Sequence, residues 1–120
     1  YLITSSLVAV LAQRLVRVIC AQCKRQGEDV ISPVGEMVPT FRGTGCGNCY
    51  GTGYRGRVGI FEMMQLNEEI RRLIMGNEDA GALTSAAKRN GMNTLREDGW
   101  DKIRQGATTA EEVLRVTQEF

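Results

Sequence analysis

The sequence predicts an α+β, mostly helical fold: an N-terminal helix, a small four-cysteine knuckle subdomain with short strands, and a C-terminal bundle of about four helices. Three observations carry this. Near the N-terminus, Val8, Leu11, Leu15 and Ile19 recur at helical spacing. Two C-x2-C pairs, Cys20/Cys23 and Cys46/Cys49, bracket a stretch of glycine, proline and β-branched residues. The last third alternates capping residues with glycine stops. At 120 residues, 42% hydrophobic and 24% charged, the chain has an ordinary globular composition and the length of one domain or two small subdomains. The divisions fall at 1–19, 20–57 and 58–120.

Taken in order, Thr4, Ser5 and Ser6 offer N-caps to a first helix running to about Val18, with Gln13, Arg14 and Arg17 on another face, either solvated or docked on a missing portion of a longer protein. Residues 24–45 carry Pro33, Pro39 and Gly35 and read as a loop, with a short strand around Val38 to Arg42. RVGIFEMMQL, Arg57 to Leu66, reads as a strand apolar on both sides and largely buried, with Met63 and Met64 as core filler. Asn67 caps the next helix, Glu68 and Glu69 favour its positive end, Ile70, Leu73 and Ile74 form its apolar stripe, and Gly76 stops it. A helix over about Asp79 to Asn90 carries Leu83 and Ala87 and stops at Gly91. Thr94-Leu-Arg-Glu97 and Thr109-Ala-Glu-Glu112 are capping boxes for two more helices, the last with Val113 and Val116 inward. Gly99, beside Trp100, costs helix propensity and so marks a point of close packing.

Several function classes drop out. The chain has no histidine, so neither a Ser-His-Asp nor a Cys-His arrangement is available, nor an imidazole-built catalytic zinc site. No catalytic residue is assigned. A formal charge of +1 gives no global pull toward nucleic acid or membrane, and scattered Arg and Lys read as solvated faces. No G-x-x-x-x-G-K-[ST] phosphate loop is present. The apolar opening is interrupted by Gln13, Arg14 and Arg17 and lacks the marks of a signal peptide. Beginning at Tyr1 inside patterned sequence, the chain reads as part of a longer protein.

The cysteine spacing is the densest chemical signal. Two thiolates two residues apart can curl onto one ion, and two such knuckles complete a tetrahedron of sulfur about structural zinc. The 22 residues between the pairs exceed the commonest spacing, but loop closure costs grow only logarithmically. Gly45, Gly47, Gly51 and Gly53 suit the turns and bare N–H groups to sulfur. Lys24, Arg25, Arg55 and Arg57 are near enough in sequence to offset thiolate charge. Zinc held by Cys20, Cys23, Cys46 and Cys49 is the favoured assignment. A redox pair stays open, although Cys20 follows the expected helix where thiolate stabilisation wants a helix N-terminus. So do disulfides, a zinc-ribbon nucleic-acid module using Lys24, Arg25, Arg42, Arg55 and Arg57, and a chaperone module. For the last, Cys46 to Gly53 resembles one repeat of the DnaJ-type cysteine-rich domain, whereas Cys20 to Gly27 keeps only the final glycine.

SSLVAVLAQRLVRVIC, the CAQC and CGNC pairs, GTGYRGRVGIFEMMQL and MNTLREDGWDKIRQGATTAEEVLRV together resemble the C-terminal portion of the secretion ATPases of the GspE/PilB family. The resemblance spans Ser5 to about Thr117 and is weakest over 24–45, a loop expected to vary in length. It implies a hexameric cytoplasmic motor at the inner face of the bacterial inner membrane, driving type II secretion or type IV pilus assembly. Residues 1–19 would then end the motor core, 20–57 form its zinc-binding insert and 58–120 its C-terminal subdomain. The implied partners are neighbouring subunits of a homohexamer and an inner-membrane platform protein. ATP and magnesium would belong to the motor region upstream of Tyr1, leaving this segment without ATPase activity of its own. Related retraction ATPases generally lack the four-cysteine insert, which implies the assembly or secretion branch.

Overall fold

The chain, in a computed structural model, is described over residues 6–118. Six strands come first: β1 Ala9–Ile19, β2 Lys24–Gln26, β3 Val30–Ile31, β4 Met37–Val38, β5 Phe41–Gly43 and β6 Tyr54–Gln65. A 3-10 turn, Gly47–Cys49, lies between β5 and β6. Four helices follow among the described residues: α1 Glu68–Met75, α2 Ala80–Arg89, α3 Leu95–Arg104 and α4 Ala110–Thr117. The α+β class and the four helices agree with the expected fold.

Among the described residues the expected N-terminal helix does not run on to Val18; residues 9–19 are a strand instead. Leu11 and Leu15, chosen as its inward stripe, are exposed, whereas Val16 is fully buried. Val10, Val16, Val18 and Ile19 are β-branched, and pairing with β6 decides between the two periods. The proposed caps Thr4 and Ser5 lie outside the described residues. β6 is the expected strand, begun three residues early, but it is not largely buried: Ile60 is enclosed while Phe61 and Met63 are exposed. The strand foreseen around Val38 is two short ones. β3 pairs antiparallel with β4, Val30 opposite Val38, and β2 with β5, Lys24 opposite Gly43.

The chain forms two compact units. The first contains residues up to Ala12 and Phe61–Thr94. Its core is Leu66, Ile70, Ala86 and Ala87, flanked by Met64, Leu73, Ile74, Leu83 and Met92, which packs α1 on α2. Asn67 caps α1 by accepting from the Ile70 N–H at 2.9 Å, and Asp79 caps α2 from the Ala82 N–H at 2.7 Å. Gly76 ends α1, yet the left-handed residue there is Asn77, with φ 54°.

The second unit contains Gln13–Ile60 and the chain from Leu95 onward. Val16, Val38, Ile60, Ile103 and Val113 are its buried core, with Val30, Val58, Leu95, Trp100, Ala110 and Val116 packed around them. Gly99 is the close-packing point expected of it: a Cβ there would fall 2.4 Å from Val113 Cγ1, so α3 meets α4 where no side chain fits. Thr109 caps α4 by accepting from the Glu112 N–H at 3.2 Å. Glu112 itself turns its buried carboxylate to Arg17 and Arg115. Arg17 is therefore no free solvated residue; its guanidinium also lies 4.2 Å from the centre of the Tyr54 ring. The Tyr54 hydroxyl in turn meets the Thr109 hydroxyl at 2.8 Å.

Candidate metal centre

The four cysteines come together in the second unit from two turns. Cys20 directly follows β1 and its N–H donates to Gly53 O at 2.9 Å, while Cys23 immediately precedes β2. Cys46 and Cys49 flank and end the 3-10 turn. Their Sγ atoms all lie within 4.8 Å of one another. Three of the separations are 3.7 Å for Cys20–Cys46, 3.7 Å for Cys46–Cys49 and 3.8 Å for Cys23–Cys49. A tetrahedron with zinc–sulfur bonds of about 2.3 Å has edges of about 3.8 Å. The thiols are free, and these separations far exceed the roughly 2.05 Å of a disulfide bond. Cys20, Cys23 and Cys49 are buried, and Cys46 is half-buried.

Donors surround the sulfurs. Gly45 N–H points to Cys23 Sγ at 3.3 Å; Cys46 and Gly53 N–H groups both point to Cys49 Sγ at 3.2 Å. The Asn48 amide nitrogen lies 3.7 Å from Cys20 Sγ. Burial alone would push the Cys49 thiol up, but the Cys46 and Gly53 N–H groups outweigh it and hold the group near 6. For Cys20 burial also opposes ionisation and is outweighed, by the Gln22 N–H, Asn48 and the Cys23 N–H, so its value falls. Cys23 has the Gly45 N–H but also three neighbouring thiols, and burial pushes it up to about 11. Four thiols drawn together and ringed by N–H donors suit a thiophilic dication.

The turn chemistry explains the glycines. Gly45 and Gly53, with φ 98° and 81°, occupy backbone that other residues adopt only with strain, and both present N–H groups to sulfur. Gly53 also meets Gly43 backbone to backbone; a Cβ on Gly43 would sit 2.1 Å from Gly53 O. Gly47 has open space around it and keeps an ordinary φ, so the need foreseen there is not found.

The basic residues near the knuckles do not collect around the sulfurs. Lys24 lies 4.7 Å from the centre of the Phe41 ring, and Arg25 donates to Lys24 O at 2.8 Å. Arg25 and Arg42 stand opposite each other in the β2–β5 ladder, both exposed. Arg55 reaches the site through Asn48, donating to its backbone O at 2.7 Å and its Oδ1 at 2.9 Å. Sequence reasoning missed Asn48 and Glu112. Asn48 is signalled only by its place between Cys46 and Cys49; Glu112 reads in the sequence as half of a capping box.

A model of the family described as type II/IV secretion system protein matches residues 1–115. The chain is 41% identical over 99% of its length to the type II secretion system protein E of Pseudomonas aeruginosa, covering 25% of that protein. It is 40% identical over 98% of its length to the type IV pilus assembly ATPase PilB of Thermus thermophilus, covering 14%. With the type II secretion system ATPase E of Vibrio cholerae it shares 40% identity over 99% of its length, covering 25%. The chain thus spans a quarter or less of these three relatives.

Proposed function

Because the chain belongs to the type II/IV secretion system protein family, we propose that it is the C-terminal region of a hexameric ATPase powering type II secretion or type IV pilus assembly. Its own work is structural and interactive. Cys20, Cys23, Cys46 and Cys49 hold one structural zinc, which staples an excursion whose strands are only two or three residues long. The observation that carries this is the convergence of the four sulfurs within 4.8 Å, three of their separations, 3.7 to 3.8 Å, already at the edge length of a zinc tetrahedron. An ion in that position supplies folding energy a stretch of this kind lacks; zinc-finger peptides gain an apparent 10 to 16 kcal/mol, roughly, from theirs.

ATP and magnesium belong to the remainder of the longer protein. Neighbouring subunits and an inner-membrane platform protein are the proposed partners, at the cytoplasmic face of that membrane. The relatives named as secretion and pilus ATPases support the motor assignment.

Elemental analysis of the purified chain with a free-thiol count tests the metal. One zinc per chain with four protected thiols is expected; no metal with four reactive thiols overturns it. Magnesium-dependent ATP turnover by this chain, above a contaminant control, overturns the placement of catalysis elsewhere.

A further inference from the structure

Asn48 lies in the 3-10 turn Gly47–Cys49, between two of the cysteines, and is the residue through which a surface cation reaches the sulfur cluster. Arg55 donates through a single nitrogen, Nη1, to both Asn48 O and Asn48 Oδ1, at 2.7 and 2.9 Å. A guanidinium only donates, so the amide atom facing it is the oxygen. The amide has two ends, and fixing the oxygen on Arg55 leaves Nδ2 toward Cys20 Sγ, 3.7 Å away. Gly45, Cys46 and Gly53 give sulfur backbone donors, which the fold places whatever the side chains are. The contact to Cys20 comes from a side chain and has to be aimed.

We propose that Asn48 and Arg55 are positioning residues for the metal: Arg55 sets the orientation of the Asn48 amide so that it donates to the Cys20 thiolate, drains charge from that sulfur and slows loss of the ion. The proposal rests on zinc occupying the four cysteines. Four thiolates around one dication leave the centre with a formal charge of −2. A donor polarised from behind by a guanidinium disperses part of that charge without competing for the metal.

The test is carried out on the zinc-loaded 120-residue chain, and on the cobalt-substituted form, with a chelator in excess. Asn48→Ala and Arg55→Ala should each release zinc about 10-fold faster than the unmodified chain. The double variant should be no faster than the more severe single one, because the two residues act in series. Asn48→Asp, which turns an acceptor oxygen to the thiolate, should be faster still than Asn48→Ala. In the cobalt form the sulfur-to-metal charge-transfer band should move to lower energy in both alanine variants, since a thiolate that loses a donor becomes easier to oxidise.

Arg55 is exposed, so Arg55→Ala carries the test even where Asn48 is needed for the turn. Release rates and band positions equal to the unmodified chain overturn the inference, as does faster release with an unmoved band, which marks a purely structural role. If the unmodified chain takes up no zinc or cobalt, the metal assignment itself fails, and that outcome is distinct from the others.

Discussion

Arg17 and Glu112, 95 positions apart in sequence, meet at one oxygen: the Arg17 Nε–H and the Arg17 backbone N–H both donate to Glu112 Oε1, at 2.7 and 3.0 Å. Arg115 takes Oε2 at 2.6 Å, so a carboxylate only 1% exposed has donors on both oxygens. The same bond ties the C-terminal end of β1 to the first turn of α4.

Glu112 gives a pH prediction. Burial opposes its ionisation, but Arg115 and Arg17 prevail and hold the carboxyl at about 2, against an ordinary 4.5. A depressed folded value means stability that is complete above about 4.5 and lost as pH falls toward about 2. The difference corresponds to on the order of 3 kcal/mol. Glu112→Gln should be less stable by about that much at pH 7, and the gap should narrow by more than half at pH 3 and close only below about pH 2. Urea denaturation at pH 7 and at pH 3 checks it; a gap that stays constant with pH would contradict the assignment.

Gly99→Ala tests the crossing of α3 with α4. Alanine gains about 1 kcal/mol of helix propensity, but its methyl would lie 2.4 Å from a stiff Val113 methyl. Overpacking of this kind costs about 1 to 3 kcal/mol, so the substitution should be neutral to destabilising by about 2 kcal/mol. Val113→Ala should lower stability alone and cost less in the Gly99→Ala background. A double-mutant cycle in denaturant measures the coupling.

Arg42→Glu should raise stability by about 0.2 to 1 kcal/mol, because it replaces a like-charged pair opposite Arg25 with an attractive one. Both residues are exposed, so the gain should shrink in high salt. Thermal midpoints at low and high ionic strength report it.

Cys49→Ser removes the sulfur that two backbone N–H groups address. The variant should surrender zinc to a chelator that leaves the unmodified chain loaded. In the unmodified chain each tenfold rise in free zinc beyond saturation should add about 1.4 kcal/mol to stability, and in the variant that rise should begin at higher zinc. Denaturation at a series of buffered zinc concentrations separates the two.

The punctuated last third was legible because caps act locally. Asn67, Asp79 and Thr109 bond N–H groups three residues ahead, whatever the rest of the chain does. The clustering of Cys20, Cys23, Cys46 and Cys49 was legible because the spacing itself encodes it. β1 was not. Val8, Leu11, Leu15 and Ile19 fit a helical stripe, and only partnership with β6, more than thirty residues on, makes the segment extended. Burial in β6 was misjudged for a related reason: a two-stranded ribbon cannot enclose both faces, and Phe61 and Met63 remain exposed. Arg55 and Asn48 left no sequence trace beyond proximity, because an amide aimed by a guanidinium is a property of side-chain geometry.

The bond from Cys20 N–H to Gly53 O brings together the two ends of everything between them. Geometrically, residues 21–52 form a detachable excursion, and a tight turn joining 20 to 53 would let a shortened chain keep β1 and β6 in place. Its removal would still not be clean. Val38, carried by the excursion, is fully buried among Val16, Ile60, Ile103 and Val113. A lineage that discards the segment therefore has to plug the vacated space with a larger side chain elsewhere, so gain or loss of the insert should travel with compensating changes at those four positions.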